Sequence, residues 1–183
     1  KITGLTDGGY VVGWRATNES GHTQIFTQRY DSANRAVGAK QALPTYGVSD
    51  DSVKIAATVD GGYVAVWRSD TGQPGDTDVF MQRFDANNAP VGSYTTLSAG
   101  AGTYDGFAEV VALDNAGVYA GVAVAWMDGT HVFVQGIDAN GAVVGTPNGV
   151  SMTTASESYH LTALSGGGYA LSGLYRNGST QSS

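Results

Sequence analysis

The feature of this sequence that most constrains its fold is an internal repeat. Residues 1–14 (KITGLTDGGYVVGW) match residues 54–67 (KIAATVDGGYVAVW) at an offset of 53 residues. Residues 23–38 then match residues 77–92, now at an offset of 54. A third copy ends in HVFVQGIDANGAVVG, and half of a fourth begins at His160. The chain therefore contains about three and a half units, which is typical of folds assembled from stacked supersecondary structures.

Each unit carries the signals of two β-hairpins. An Asp-Gly-Gly turn separates two apolar runs in the first two copies, and Asp-Gly favours the positive φ angles that tight hairpins need. Along the strands the side chains alternate with a period of two, so Tyr63 and Trp67 share a face that Val64 does not. No stretch sustains a helical period. The sequence predicts an all-β fold.

Four strands in a unit of about 53 residues predict a β-propeller-like architecture of four-stranded blades. We expect one repeat domain over residues 1–183, with blades at 1–49, 50–103, 104–156 and, in part, 157–183. A closed ring needs about four to eight blades, so this number cannot close alone. Three alternatives remain: the chain is a fragment, flanking repeats or other copies complete the ring, or the units form an open array.

Composition excludes several functions. The chain has no cysteine, so disulfides, thiolate metal sites and cysteine nucleophiles are excluded. Its net charge of −7 argues against nucleic acid or an anionic membrane as a partner. No apolar run reaches the roughly 20 residues that span a bilayer. The three histidines occupy different places in the repeat, and neither a zinc motif nor a G-x-S-x-G elbow is present.

The repeat also resembles a known pattern. Residues 7–14 (DGGYVVGW) and 28–31 (QRYD), which recur at 60–67 and 82–85, resemble the tandem repeats of giant bacterial RTX-type adhesins and haemolysin-like calcium-binding exoproteins. The third copy departs from the pattern by an expanded turn at 115–121. The resemblance implies an extracellular or cell-surface module with a propeller-like fold. It implies no single activity, because such repeats are scaffolds shared by many proteins.

Residues that recur in the copies are predicted to build the fold. The tryptophans are predicted to lie in the core between blades: Trp14, Trp67 and Trp126. The glutamines are predicted to be buried amides that tie strands together, or alternatively to line a central channel: Gln28, Gln82 and Gln135. Two arginines are expected to pair with acidic loop residues: Arg29 and Arg83. Three aspartates are expected to bond the turn that follows them: Asp31, Asp85 and Asp138.

The acidic loop at residues 68–78 is the strongest metal candidate. Calcium takes about six to eight oxygen ligands, and Asp70, Asp76 and Asp78 supply carboxylates in a glycine-containing loop. The loop lacks the EF-hand spacing and the calcium-binding nonapeptide of RTX proteins. A solvated loop is therefore the alternative. Asp50 and Asp51 are a second candidate for a cation, at a sheet edge.

Four tyrosines lie in or beside the segments that vary among the copies, where a rigid scaffold presents recognition surfaces. Aromatic faces stack on sugar rings, so these tyrosines are the candidate ligand-binding residues: Tyr46, Tyr94, Tyr104 and Tyr119. Packing at blade edges is the alternative interpretation.

The sequence therefore favours a non-enzymatic extracellular module of a large bacterial surface or secreted protein. It would bind a glycan or a surface protein in adhesion, with calcium as its one candidate cofactor. One alternative is a polysaccharide-acting hydrolase or lyase that uses paired carboxylates on a propeller. The other is a structural filament or spacer module.

Overall fold

The computed structural model describes residues 1–17, 19–45, 47, 49–98, 105–128, 131–151 and 159–173. Within these ranges the chain forms β-strands and no helix. The strands of the first two units are β1 (Ile2–Gly4), β2 (Tyr10–Thr17), β3 (Thr23–Tyr30), β4 (Ala36–Ala42), β5 (Asp50–Ala57), β6 (Tyr63–Asp70), β7 (Thr77–Phe84) and β8 (Pro90–Thr96). Those of the later units are β9 (Asp105–Asn115), β10 (Val118–Asp128), β11 (His131–Asp138), β12 (Val143–Ser151), β13 (Tyr159–Ala163) and β14 (Tyr169–Gly173).

Strands that follow one another in the chain pair antiparallel and form separate sheets. β1–β4 form the first sheet, β5–β8 the second, β9–β12 the third, and β13–β14 a two-stranded fourth sheet. Each sheet keeps its strands in chain order and none closes on itself. The all-β prediction is confirmed, and the repeat unit corresponds to one meander of antiparallel strands.

The Asp-Gly-Gly hairpins depend on two glycines for different reasons. Gly61 has a φ of +84°, a region that residues with a side chain rarely enter. Gly62 has an ordinary φ, but a Cβ there would collide with the carbonyl oxygen of Phe84 in β7 and lie 3.2 Å from Thr58 Oγ1. The hairpin turn therefore packs too closely on the next strand to accept any side chain at Gly62.

Replacement of Gly62 by alanine is expected to lower the free energy of unfolding by about 2–3 kcal/mol, because a strand carbonyl cannot move aside without breaking its ladder. Gly4→Ala in β1 is the matched control, since its Cβ would meet nothing within 4 Å. Urea unfolding followed by circular dichroism measures both variants. Equal midpoints for the two would contradict the close approach at Gly62.

The recurring glutamines lie where the third and fourth strands of each sheet change register. The pairing of β7 with β8 shifts at Gln82. Gln82 Nε2 donates to the carbonyl oxygens of Arg83 (2.9 Å) and Val91 (3.1 Å) and so bridges the interrupted ladder. Gln28 and Gln135 make the equivalent bonds, and all three are buried. The prediction of buried amides that tie strands together is confirmed.

The sheets stack face to face, and apolar side chains fill the space between neighbours. Three clusters of buried residues form these junctions. The cluster between the first and second sheets contains Leu5, Val11, Ile25, Leu43, Ile55, Tyr63, Ala65, Trp67, Phe80 and Phe84. That between the second and third contains Val64, Val66, Val79, Met81, Ala108, Val122, Val124, Trp126 and Ile137. That between the third and fourth contains Leu113, Ala123, Ala125, Val132, Val134, Tyr159 and Leu161.

Candidate functional site

The two faces of a sheet carry different kinds of side chain, so the stack of sheets has a direction from the first sheet to the last. In the second sheet the face with Tyr63 and Trp67 contacts the first sheet, while the face with Val64 and Val66 contacts the third. In the third sheet the aromatic residue Trp126 again faces the preceding sheet. The second and third sheets therefore each present a face with aromatic residues to the sheet before them and an aliphatic face to the sheet after them.

Polar contacts fix the junction between the first and second sheets. Trp67 Nε1 donates to the carbonyl oxygen of Pro44 (3.2 Å). The Tyr63 hydroxyl lies 2.8 Å from Thr27 Oγ1 in the first sheet and donates to Asn88 Oδ1 (2.7 Å). Each of these bonds satisfies a group that burial would otherwise leave unpaired, so the junction is specified by hydrogen bonds as well as by apolar packing.

The first sheet carries the same aromatic face, which we name the outer aromatic face: Tyr10, Trp14, Phe26 and Tyr30. Its rings stack in pairs, with centroids 5.2 Å apart for the two tyrosines and 5.8 Å apart for Trp14 and Phe26. All four side chains are only half-buried. Their equivalents in the second sheet are at most 2% exposed: Tyr63, Trp67, Phe80 and Phe84. The predicted core position of the tryptophans is confirmed for Trp67 and Trp126 and is wrong for Trp14, which is only half-buried, because no sheet of the described residues covers it.

The recurrent charged residues have the structural partners expected of them. Arg29 pairs with Asp7, and Arg83 pairs with Asp60 at the equivalent place in the second sheet. Hydrogen bonds from Gly9 and the Arg29 guanidinium hold the pKa of Asp7 below its usual range, although partial burial opposes this. The aspartates that precede the second turn accept bonds from backbone amides of that turn, as predicted: Asp31, Asp85 and Asp138.

The predicted metal ligands are distributed along one loop. Asp70 ends β6, and its Oδ1 accepts a bond from the Gly72 amide (3.1 Å). Asp76 is buried and its Oδ2 accepts a bond from the Thr71 hydroxyl (2.7 Å). Asp78 lies in β7, where burial and the charge of Asp76 raise its pKa. Among the residues described, no three acidic or histidine side chains converge as a metal centre, so calcium binding in this loop stays a prediction.

Two carboxylates are buried at the junctions themselves. Asp50 is fully buried in β5 and Asp105 is 1% exposed in β9, and no carboxylate oxygen of either has a partner in good hydrogen-bonding geometry. Burial raises the pKa of each to about 6. Nearby hydroxyls, of Ser69 and Ser98 respectively, oppose this rise in part, and neighbouring aspartates add to it.

Of the four predicted tyrosines, Tyr94 alone has a described side chain, so a shared ligand site stays a prediction. Tyr46 and Tyr104 lie outside the described residues, and Tyr119 lies in β10, where its side chain is not described. Tyr94 in β8 is 36% exposed and packs edge-on against Phe80, with ring centroids 6.3 Å apart. For Tyr94 this contact matches the alternative interpretation of packing at a sheet edge.

Comparison with protein-family models, with curated proteins and with solved structures finds no match. The resemblance to adhesin and exoprotein repeats therefore stays a prediction. The described part of the chain also contains no helix long and apolar enough to cross a membrane. The arrangement of the chain's own residues is what supports an interpretation of function.

Sequence reasoning identified Asp50 as a candidate but missed Asp105. The signal was available in the repeat, because Asp50 begins the strand four residues before Lys54 and Asp105 begins the corresponding strand of the third copy four residues before Glu109. The expanded turn of that copy hides the correspondence. Lys54 and Glu109 themselves form an ion pair of 2.9 Å across the junction.

Proposed function

We propose that the chain is a non-enzymatic, extracellular repeat module whose function is to bind a protein partner. In this proposal its outer aromatic face binds a further sheet of the same repeat type, within a propeller-like or stacked array of a larger bacterial surface or secreted protein. The observation that carries the proposal is that this face is buried at its equivalent in the second sheet, whereas in the first it is only half-buried and no sheet of the described residues packs on it.

The chemistry of the partner follows from the junctions inside the chain. The aromatic face of the second sheet is covered by aliphatic residues of the first sheet, with Val11 and Ile25 fully buried at its centre. Gly13 also faces this junction, where a Cβ would lie 2.9 Å from Ile55 Cδ1. A partner for the outer aromatic face therefore presents small and β-branched side chains from an antiparallel sheet that packs face to face on it.

The polar groups of the outer aromatic face match this partner as well. The Tyr10 hydroxyl donates to Asn34 Oδ1 (3.2 Å), as Tyr63 does to Asn88 in the second sheet. In the covered junction Asn88 Nδ2 also reaches Ala39 of the neighbouring sheet (2.6 Å). Tyr10 and Asn34 thus repeat the polar pair that contacts a neighbouring sheet elsewhere in the chain.

A chain extended by one repeat tests the proposal. A copy of residues 1–53, carrying Trp14→Phe, is fused ahead of Lys1, so that Val53 precedes Lys1 as it precedes Lys54 in the natural junction. We expect the original Trp14 to become buried, because apolar area at the junction is removed from water. Iodide quenching of tryptophan fluorescence measures this, since Trp67 and Trp126 are already buried in the unextended chain.

The matched control carries Ile25→Asp in the appended copy, which places a charge on its covering face. Trp14 is expected to remain open to iodide in that control. The proposal fails if iodide quenches Trp14 to the same extent in the extended chain and in the control, provided that circular dichroism shows the added strands to be formed. That result would mean that the outer aromatic face does not bind a sheet of this type.

A glycan ligand is not part of the proposal. Of the four candidate tyrosines, only Tyr94 has a described side chain, and it contacts Phe80 within its own sheet. The extracellular location rests on the repeat pattern, and the protein partner rests on the outer aromatic face.

A further inference from the structure

The two buried carboxylates at the junctions, Asp50 and Asp105, occupy the same place in successive units. Each is the first residue of the first strand of its sheet. A threonine of the preceding sheet holds each backbone, since Thr23 Oγ1 donates to the carbonyl oxygen of Asp50 (3.2 Å) and Thr77 Oγ1 to that of Asp105 (2.8 Å). The backbones are therefore anchored, while neither carboxylate makes a hydrogen bond of good geometry, although the hydroxyls of Ser69 and Ser98 lie near them.

The two positions differ in what lies across the strand pair. Asp50 is directly opposite Ser69, whereas Asp105 is directly opposite Asp128. Residues directly opposite each other in an antiparallel pair point to the same face, with Cβ atoms about 4.5–5.5 Å apart, and like charges there are destabilising. The second junction thus holds two facing carboxylates, one of which is almost completely buried.

More negative charge reaches Asp105 from the second sheet. Asp78 in β7 and Asp76 just before it, together with Asp128 of the third sheet, raise its pKa, after burial as the main cause. Burying a charge without a partner costs several kcal/mol. A group of this kind needs a compensating positive charge or must take up a proton.

Lys54 and Arg68, which are basic side chains described at this junction, form ion pairs with acids other than Asp105. Lys54 Nζ lies 2.9 Å from Glu109, and Arg68 lies 2.5 Å from Asp51. His131 is directly opposite Asp128 in the neighbouring strand pair and is the imidazole that faces this group. No ion pair with Asp105 occurs among the described residues.

We propose that Asp105 and Asp128 bind a divalent cation of the calcium class at the junction between the second and third sheets. Carboxylate oxygens are the ligands that calcium prefers, and water and main-chain oxygens complete its shell of about six to eight. Two carboxylates as ligands agree with the lack of a three-acid centre in the described residues. The charges of Asp76 and Asp78 strengthen the site without being required as ligands.

The proposed site differs from the loop predicted from the sequence. Both proposed ligands lie in the third sheet, and a bound cation would also offset the charges of Asp76 and Asp78 at the beginning of β7. It would therefore stabilise the contact between two repeat units. The first junction is a natural comparison, because Asp50 is equally buried but faces a serine, and of the two aspartates near it Asp51 is paired with Arg68. We therefore expect cation binding at the second junction alone.

Thermal unfolding of the full chain near neutral pH tests the proposal. Calcium added at millimolar concentration after treatment with a chelator is expected to raise the Tm by about 5 °C, since a ligand that binds only the folded state stabilises it. Asp105→Asn and Asp128→Asn are expected to abolish the calcium-dependent shift. The matched control Asp50→Asn removes an equally buried carboxylate and is expected to keep it.

Terbium luminescence locates the ion independently of stability. Trp126 lies two residues before Asp128 and faces the same junction, so it can transfer excitation energy to a bound terbium ion. We expect sensitised emission from the wild type and from Trp67→Phe, and a large loss in Trp126→Phe and in Asp105→Asn. Absence of a calcium shift in the wild type, or an equal shift in Asp105→Asn, would overturn the proposal, as would emission that depends on Trp67 and not on Trp126.

Discussion

Trp67→Ala is expected to lower the free energy of unfolding by about 3–5 kcal/mol, the largest effect of any single substitution considered for this chain. The Trp67 side chain is fully buried between the first and second sheets and stacks on Phe80, with ring centroids 5.8 Å apart. Its removal leaves a cavity at the centre of the junction and the Pro44 carbonyl without its donor. Both losses lower the free energy of unfolding.

Trp14→Ala is the matched control, because Trp14 has the same place in its repeat and stacks on Phe26, which is the equivalent of Phe80. Trp14 is only half-buried, so its truncation is expected to cost about 1–2 kcal/mol. Urea denaturation followed by far-ultraviolet circular dichroism measures both variants, and Trp67→Phe provides a milder substitution if the alanine variant does not fold. A similar loss at both positions would mean that the outer aromatic face is covered in solution.

The repeat made much of the fold predictable. Period-two alternation in the copies predicts strands, and the Asp-Gly-Gly turns predict hairpins where β1–β2 and β5–β6 are joined. The recurrence of Gln28 and Gln82 between large apolar residues predicts buried amides, and the structure adds that they bridge a change of register. Local sequence determines these features, so local patterns are sufficient to predict them.

The burial of the aromatic face in each copy was less predictable, because it depends on neighbouring sheets that the local sequence does not contain. Trp14 and Trp67 stand in nearly the same local sequence, but within the described ranges a sheet packs over Trp67 and none over Trp14. Identical motifs therefore differ in burial by their position in the array. A sequence pattern describes which side chains a sheet presents and not what covers them.

The candidate cation site was hidden for a different reason. Asp105 faces Asp128 because β9 and β10 pair in a particular register that includes two irregularities. The sequence places these residues far apart, in a copy whose turn is expanded. The sequence analysis predicted a metal site in the contiguous loop around Asp70 and Asp76 instead. Acids that are close together in sequence are easier to recognise than acids brought together by strand pairing.

The second large effect concerns pH. Without divalent cations, we expect the free energy of unfolding to fall by about 4 kcal/mol as the pH rises from about 4 to about 7. Asp50 and Asp105 have a pKa of about 6 in the folded chain, against an ordinary value of 3.8. A rise of about two units corresponds to roughly 3 kcal/mol for each, which solvent screening reduces to about 2 kcal/mol.

The sign follows from proton binding. Between the two pKa values the folded chain holds protons on Asp50 and Asp105 that the unfolded chain has released. Their contribution to stability is therefore complete below about pH 3.8 and is lost as the pH rises through about 6. Asp7 and Asp60 act in the opposite direction, because hydrogen bonds and their arginine partners lower the pKa of each despite some burial. The stability that they supply is lost as the pH falls below 3.8.

These opposing groups predict a stability maximum in mildly acid solution, at about pH 4–5 in the presence of a chelator. The double variant Asp50→Asn/Asp105→Asn is expected to be more stable than the wild type near neutral pH and to lose most of the decline between pH 4 and pH 7. Guanidinium chloride unfolding across this pH range, with Glu19→Gln as the control at an exposed acid, measures the effect. A wild-type profile that is flat or rises from about pH 4 to 7 would contradict the raised pKa of the two carboxylates, because an acid whose pKa is raised by burial or by like charges makes stability fall as it ionises.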